Sequence, residues 1–193
     1  MPVQVILLNG VSSAGKTSLA AAIQRRMPQP WLTMGVDTMI VGMPPQYNAT
    51  HDGLLFYADG RVVVGPKFAA LEAAWRIGLG AMARSGLRLV LDEVLFDGPE
   101  SQRQWNAALA GLEVLWVGVK CDLAVLEARE KARGDRVIGM AAKTAGLRAR
   151  WDRLRPGGRY FAGEHGRVCG GNRRALLPSP LRGGAGGGGL PAE

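Results

Sequence analysis

From Met1 to about Lys143 the apolar positions switch repeatedly between short continuous runs and a helical stagger. Val3–Leu8 is one such run, interrupted only by Gln4, and it reads as a strand covered on both faces. Trp31–Gly35, after the breaks at Pro28 and Pro30, predicts a second strand. Leu87–Leu91, running into Asp92 and Glu93, predicts a third, and Glu113–Val119 a fourth. Between them Ser18–Arg26, Lys67–Arg84, Ser101–Ala110 and Leu123–Ala132 predict helices. Regular alternation of strand and helix predicts an α/β fold with a central, mainly parallel sheet flanked by helices. Ligands of such sheets bind beyond the carboxyl ends of the strands, where Gly10, Asp37 and Asp92 all fall.

Two stretches break the rhythm. Between Pro44 and Pro66, Leu54–Tyr57 and Arg61–Val64 flank Asp59-Gly60, a dipeptide suited to a type I′ turn, so a small hairpin is expected. Such a hairpin either caps a ligand site or decorates the surface. After Thr144 the composition shifts: Gly, Arg, Ala and Pro make up 32 of the last 50 residues, Lys is absent, and Val168 is the only Val or Ile. A buried parallel strand draws on β-branched residues, so none is expected there. The reading is a domain over residues 1–149 followed by an irregular, low-complexity tail over 150–193, without stable order.

The chemistry begins where the first strand ends. Gly10-Val11-Ser12-Ser13-Ala14-Gly15-Lys16-Thr17 has the G-x-x-x-x-G-K-T spacing of a phosphate loop, between a predicted strand and a predicted helix. The glycines let successive backbone N–H groups turn toward an anion, and the helix N-terminus adds its dipole. Lys16 is placed to neutralise the outer phosphates, and the Thr17 hydroxyl is offered to Mg²⁺. A nucleoside triphosphate, ATP with Mg²⁺, is therefore the expected ligand.

Asp37 lies just past the second strand, where small P-loop kinases hold the phosphate acceptor. It is read as the group that orients an acceptor hydroxyl and takes its proton, or as the N-cap of a helix starting at Thr38. Asp92 ends an apolar strand and is either a Mg²⁺ ligand, directly or through water, or a carboxylate closing the sheet edge. Glu93 beside it either does the same or touches substrate, and strand alternation argues that the two do not point into one site. Arg129, Arg133 and Arg136 follow the fourth strand, the last two bracketing Gly134-Asp135. They are candidates to close over a transferring phosphoryl group, or form an exposed charged face. Met34, Met39, Met43, Phe56 and Tyr57 either line an apolar acceptor pocket or simply pack.

Charge excludes more than it suggests. The formal net charge is +8, but residues 144–193 carry nine Arg against three acidic residues, so the folded part is nearly neutral. No specific nucleic-acid function is expected from a basic tail without interleaved aromatics. Cys121 and Cys169 form no C-x-x-C pair and read as reduced thiols, His51 and His165 as surface residues without a second metal ligand at ligating spacing. No apolar run reaches membrane-spanning length and no leader pattern opens the chain, so a cytoplasmic location is expected.

With these residues in place, the chain resembles the chloramphenicol phosphotransferase family, P-loop kinases that phosphorylate the antibiotic on a hydroxyl. The matching stretches are Ile6–Lys16, Pro30–Leu32, Gly35–Asp37, Gly65–Pro66, Ala81–Arg84, Val114–Val119, Ala132–Arg136 and Gly139–Lys143. The resemblance implies a P-loop NTPase fold and an ATP-dependent phosphotransferase, with Gly10–Thr17 as ATP loop, Asp37 as base, and chloramphenicol or a similar alcohol as acceptor. A homo-oligomer is compatible with it. The pattern ends at Lys143, where the family's Tyr-Asp pair and its last strand ending in Val-Asp-Thr do not follow. A shifted reading frame in GC-rich DNA accounts for such a tail, and re-sequencing across codons 140–150 tests that. Two alternatives stand beside the first reading: a kinase for another small metabolite, and a nucleotide-binding product that is catalytically inert.

Overall fold

The computed structural model of the chain describes residues 2–57, 61–133 and 159–164. A five-stranded sheet, every neighbouring pair parallel, forms its centre in the order β2-β5-β1-β6-β7. Its strands are β1 (Val5–Asn9), β2 (Trp31–Gly35), β5 (Arg88–Glu93), β6 (Val114–Lys120) and β7 (Arg159–Glu164). The helices are α1 (Lys16–Gln24), α2 (Val36–Gly42), α3 (Pro66–Arg84), α4 (Pro99–Ala108) and α5 (Leu123–Arg133). A small antiparallel pair, β3 (Leu54–Phe56) and β4 (Val62–Val64), makes the expected hairpin; its turn lies outside the described residues.

Alternation along the strands sorts the core onto two sides. Ile6, Leu8, Val90 and Leu115 pack with Ala20 of α1 and Leu126 of α5. Val5, Leu7, Leu89, Leu91 and Trp116 pack with Leu79 and Ala83 of α3 and Trp105 of α4. All five residues of β1 are buried, which is why this strand reads as one apolar run rather than an alternation. Burying each Leu side chain contributes about 1.5–3 kcal/mol. A third cluster joins Met39 and Met43 of α2, Leu54 of the hairpin and Phe68 of α3. The hairpin's base is thus anchored while Phe56 and Val64 stay exposed.

The elements agree with the sequence reading apart from their ends and two additions. Lys16 and Thr17 already belong to α1, and β5 runs on through Asp92 and Glu93. Helix α2 starts at Val36 with Gly35 as its N-cap, so Asp37 sits inside the first turn and is not itself the cap. The expectation that no strand forms after Thr144 is corrected: Arg159–Glu164 pairs in parallel with Leu115–Lys120 of β6. The expectation leaned on β-branched residues, whereas Tyr160 and Phe161 belong to types with the same strand preference, and an edge strand needs only one neighbour. The remaining tail positions lie outside the described residues.

Candidate active site

The phosphate loop closes between β1 and α1 as its spacing requires. Gly15, at φ 94°, occupies the left-handed region that glycine tolerates, and Ser13 enters it at φ 61°. Gly15 caps α1 with no side-chain hydrogen bond, so the first-turn N–H groups have no side-chain cap. Ser13 Oγ is buried without a hydrogen-bond partner among the described residues. A loop of this shape, with an unmet hydroxyl and uncapped amides, suits an anion rich in acceptor oxygens.

Lys16 lies across the loop. Its ammonium donates to the carbonyls of Gly10 (2.8 Å) and Val11 (3.2 Å) and stands 3.6 Å from Asp92 Oδ1. Thr17 Oγ1 donates to Asp92 Oδ2 at 2.8 Å. Lysine, threonine and aspartate therefore converge at the end of β1 and β5. The Thr17 hydroxyl and Asp92 carboxylate are hard oxygen donors side by side, and that set fits Mg²⁺ completed by phosphate and water. Among the described residues no group of three His, Cys, Asp or Glu side chains forms a metal site by itself.

Asp37 comes to the same end of the sheet through backbone packing. Gly35 stands opposite Asp92 in the β2–β5 register, and a Cβ there would lie 2.3 Å from the Asp92 carbonyl oxygen. Only a residue without a side chain lets the strands meet this closely, and two residues on, Asp37 is exposed in the first turn of α2.

The arginines separate. Arg129 of α5 donates to the Ser13 carbonyl at 3.2 Å and to Cys121 Sγ at 3.7 Å, which puts it against the phosphate loop. Arg133 is the last residue of α5, and Arg136 lies outside the described residues. Of the proposed pocket residues, Met39 and Met43 are buried in the third cluster and Met34 packs against the α3 side. Phe56 is exposed, and Arg61 stacks over the Tyr57 ring. Exposed His51 fits its surface reading.

Sequence reasoning missed a polar cluster on the α3 side. Glu93 is only 3% exposed, and its Oε1 has no hydrogen-bond partner among the described residues. Burial, reinforced by Glu72 and Asp92 and opposed by Arg76 and Lys16, holds its carboxyl well above the usual range. Buried Arg76 pairs with Glu72 at 2.9 Å. The signal was present: Phe68, Glu72, Arg76, Leu79 and Ala83 step three or four residues apart, so two charged residues occupy the register of the core face. Asn9, another buried polar residue, accepts from the Leu95 amide and ties β1 to the segment after β5.

Among solved structures, the fold is similar to a sugar kinase from Janibacter sp. HTCC2649, with a TM-score of 0.59 and 15% identity over 84% of this chain and 86% of that one. A thymidylate kinase from Candida albicans aligns at a TM-score of 0.50 with 14% identity over 84% of each chain. These likenesses define the P-loop kinase fold. In sequence the chain is 31% identical over 169 residues to a Mycobacterium tuberculosis protein named provisionally as an O-phosphotransferase, covering 77% of this chain and 72% of the relative. The sequence profile of the chloramphenicol phosphotransferase-like proteins matches residues 3–150. With its phosphate loop, parallel kinase sheet and this match, the chain belongs to the chloramphenicol phosphotransferase-like family of P-loop phosphotransferases.

Proposed function

We propose that the chain transfers the γ-phosphoryl group of ATP, as its Mg²⁺ complex, to a hydroxyl of a small amphipathic alcohol, with chloramphenicol the acceptor its family points to. The observation that carries this reading is the register of β2 on β5. Gly35 stands opposite Asp92, so Asp37 opens α2 at the sheet end where Asp92 meets Thr17. A triphosphate on Gly10–Thr17 and an alcohol beside Asp37 then approach each other beyond the strand ends.

In the step, the alcohol oxygen bonds to the γ-phosphorus while the bond from that phosphorus to the bridging oxygen of ADP breaks, and the alcohol's proton passes to the Asp37 carboxylate. The transition state is loose, so Asp37 acts more by orienting the hydroxyl than by basicity. Lys16 exchanges its loop carbonyls for phosphate oxygens, and Arg133 and Arg136 are assigned the charge on the moving group. Thr17 and Asp92 would hold Mg²⁺, which supplies positive charge to the phosphate oxygens when bound.

Incubation with ATP, Mg²⁺ and chloramphenicol, followed by mass spectrometry, tests the reading: a phosphorylated product is expected. Asp37→Ala should lower the rate about 10²–10⁴-fold with ATP still bound. Undiminished transfer by that variant removes Asp37 as the base. Retained ATP binding with no transfer by the wild type favours the inert alternative.

A further inference from the structure

The phosphate loop is anchored on the side of β6 and α5. Gly10, at its root, lies so close to β6 that a Cβ there would stand 2.8 Å from the Val119 carbonyl oxygen. Val11 and Ala14 are buried in one cluster with Cys121, which follows β6, and with Leu126 of α5. Arg129, three residues after Leu126, shares that face of the helix and reaches the loop between the two apolar anchors. Its Nη1 donates to the Ser13 carbonyl at 3.2 Å and to Cys121 Sγ at 3.7 Å.

Ser13 is where the loop is strained. At φ 61° it occupies the left-handed region, which an ordinary residue enters at a cost and glycine enters freely. The peptide unit that follows it is held at both ends. Its carbonyl accepts from Arg129, and its N–H, that of Ala14, donates to the Val11 carbonyl at 3.2 Å. Turns of this kind make concavities in which successive N–H groups receive an anion. A charge-assisted bond to the carbonyl is of the size needed to offset the cost of the left-handed conformation.

We infer that Arg129 is a positioning residue: through the Ser13 carbonyl it holds the phosphate loop in the form that receives a triphosphate, and it does so without touching ATP. Seated on Cys121, its guanidinium is a strut between the end of β6 and the loop. The inference rests on the reading of Gly10–Thr17 as the ATP loop and adds to it a residue 116 positions from Ser13. Its role differs from that assigned to Arg133 and Arg136, which act on the moving phosphoryl group.

The test titrates ATP with Mg²⁺, and separately inorganic tripolyphosphate with Mg²⁺, into the full chain by calorimetry. Arg129→Ala should weaken both by about tenfold or more and to the same degree, because the loop and not the base is affected. Ser13→Gly loses a hydroxyl and is expected to weaken binding by itself, but glycine takes the left-handed form unaided. In that background Arg129→Ala should therefore cost no more than about twofold. An unfolded fraction lowers the stoichiometry and leaves the dissociation constant of the folded protein unchanged. Unchanged binding by Arg129→Ala overturns the inference. So does a loss for ATP without one for tripolyphosphate, which puts Arg129 on the base, and so does an equal loss in both backgrounds, which puts it on the phosphates. Ser13→Gly that binds no triphosphate, or a wild type that binds ATP but not tripolyphosphate, overturns it too. A wild type that fails to bind ATP overturns the ATP reading itself, and the inference with it.

Discussion

The hydroxyl of Thr17 donates to the carboxylate of Asp92 at 2.8 Å, joining positions 75 residues apart in sequence. One residue lies in the first turn of α1 and the other near the end of β5, so the bond ties the helix that follows the loop to the strand beside it. Thr17→Ala and Asp92→Ala should each lower kcat/KM for ATP by about 10²–10³-fold and raise the Mg²⁺ concentration required. If the proposed Mg²⁺ is held by both oxygens, the double variant should lose less than the two single losses combined. Steady-state rates across a Mg²⁺ titration measure this, and Thr17→Ser should retain most of the activity.

Gly35 makes a steric prediction. A methyl group there would meet the Asp92 carbonyl oxygen at 2.3 Å, and both partners are backbone that no rotamer change can clear. Gly35→Ala should therefore force β2 away from β5, costing about 1–3 kcal/mol. The expected fall in Tm is roughly 3–10 °C by thermal denaturation. Activity should drop beyond the loss of folded protein, because the shift separates Asp37 from Asp92 and Thr17.

Glu93 predicts a dependence on pH. Its folded carboxyl holds a proton more tightly than the ordinary value of 4.5, so the neutral form suits the folded chain and charging it costs stability. The contribution is intact below the unfolded value and is lost as pH rises from there through the folded value. Over that window the slope approaches about 1.4 kcal/mol per pH unit. Glu93→Gln removes the ionisation, so its Tm relative to wild type should climb as pH rises above the ordinary carboxyl value of 4.5 and level off above the raised folded value. A difference in Tm that stays level with pH contradicts a buried, neutral Glu93.

How far the sequence reached depends on where each interaction is written. Gly10–Thr17 is local, since its spacing and the flanking strand and helix lie within a few residues, and the observed loop follows. Asp37 and Asp92 were singled out by their positions at strand ends, and both do lie at that end of the sheet, a placement that survives small errors in element boundaries. Arg129 was one of three candidate arginines, but its contact with Ser13 spans 116 residues, so no local pattern could single it out from the other two. Trp75 packs against both the α3-side cluster and the third cluster, and among the described residues its indole nitrogen has no partner, which only the packing of α3 could reveal. Strand β7 was missed because the criterion was β-branching, while what secures it is the open edge of β6, a property of the assembled sheet.

The strand order places β1, with the phosphate loop at its tip, between two neighbours, whereas β2 and the helix bearing Asp37 lie on the outer border. The phosphate loop is thus braced from left and right, whereas Asp37 hangs on one flank. Substitutions along that flank should therefore reshape the surroundings of Asp37 while leaving the bracing of the phosphate loop unchanged.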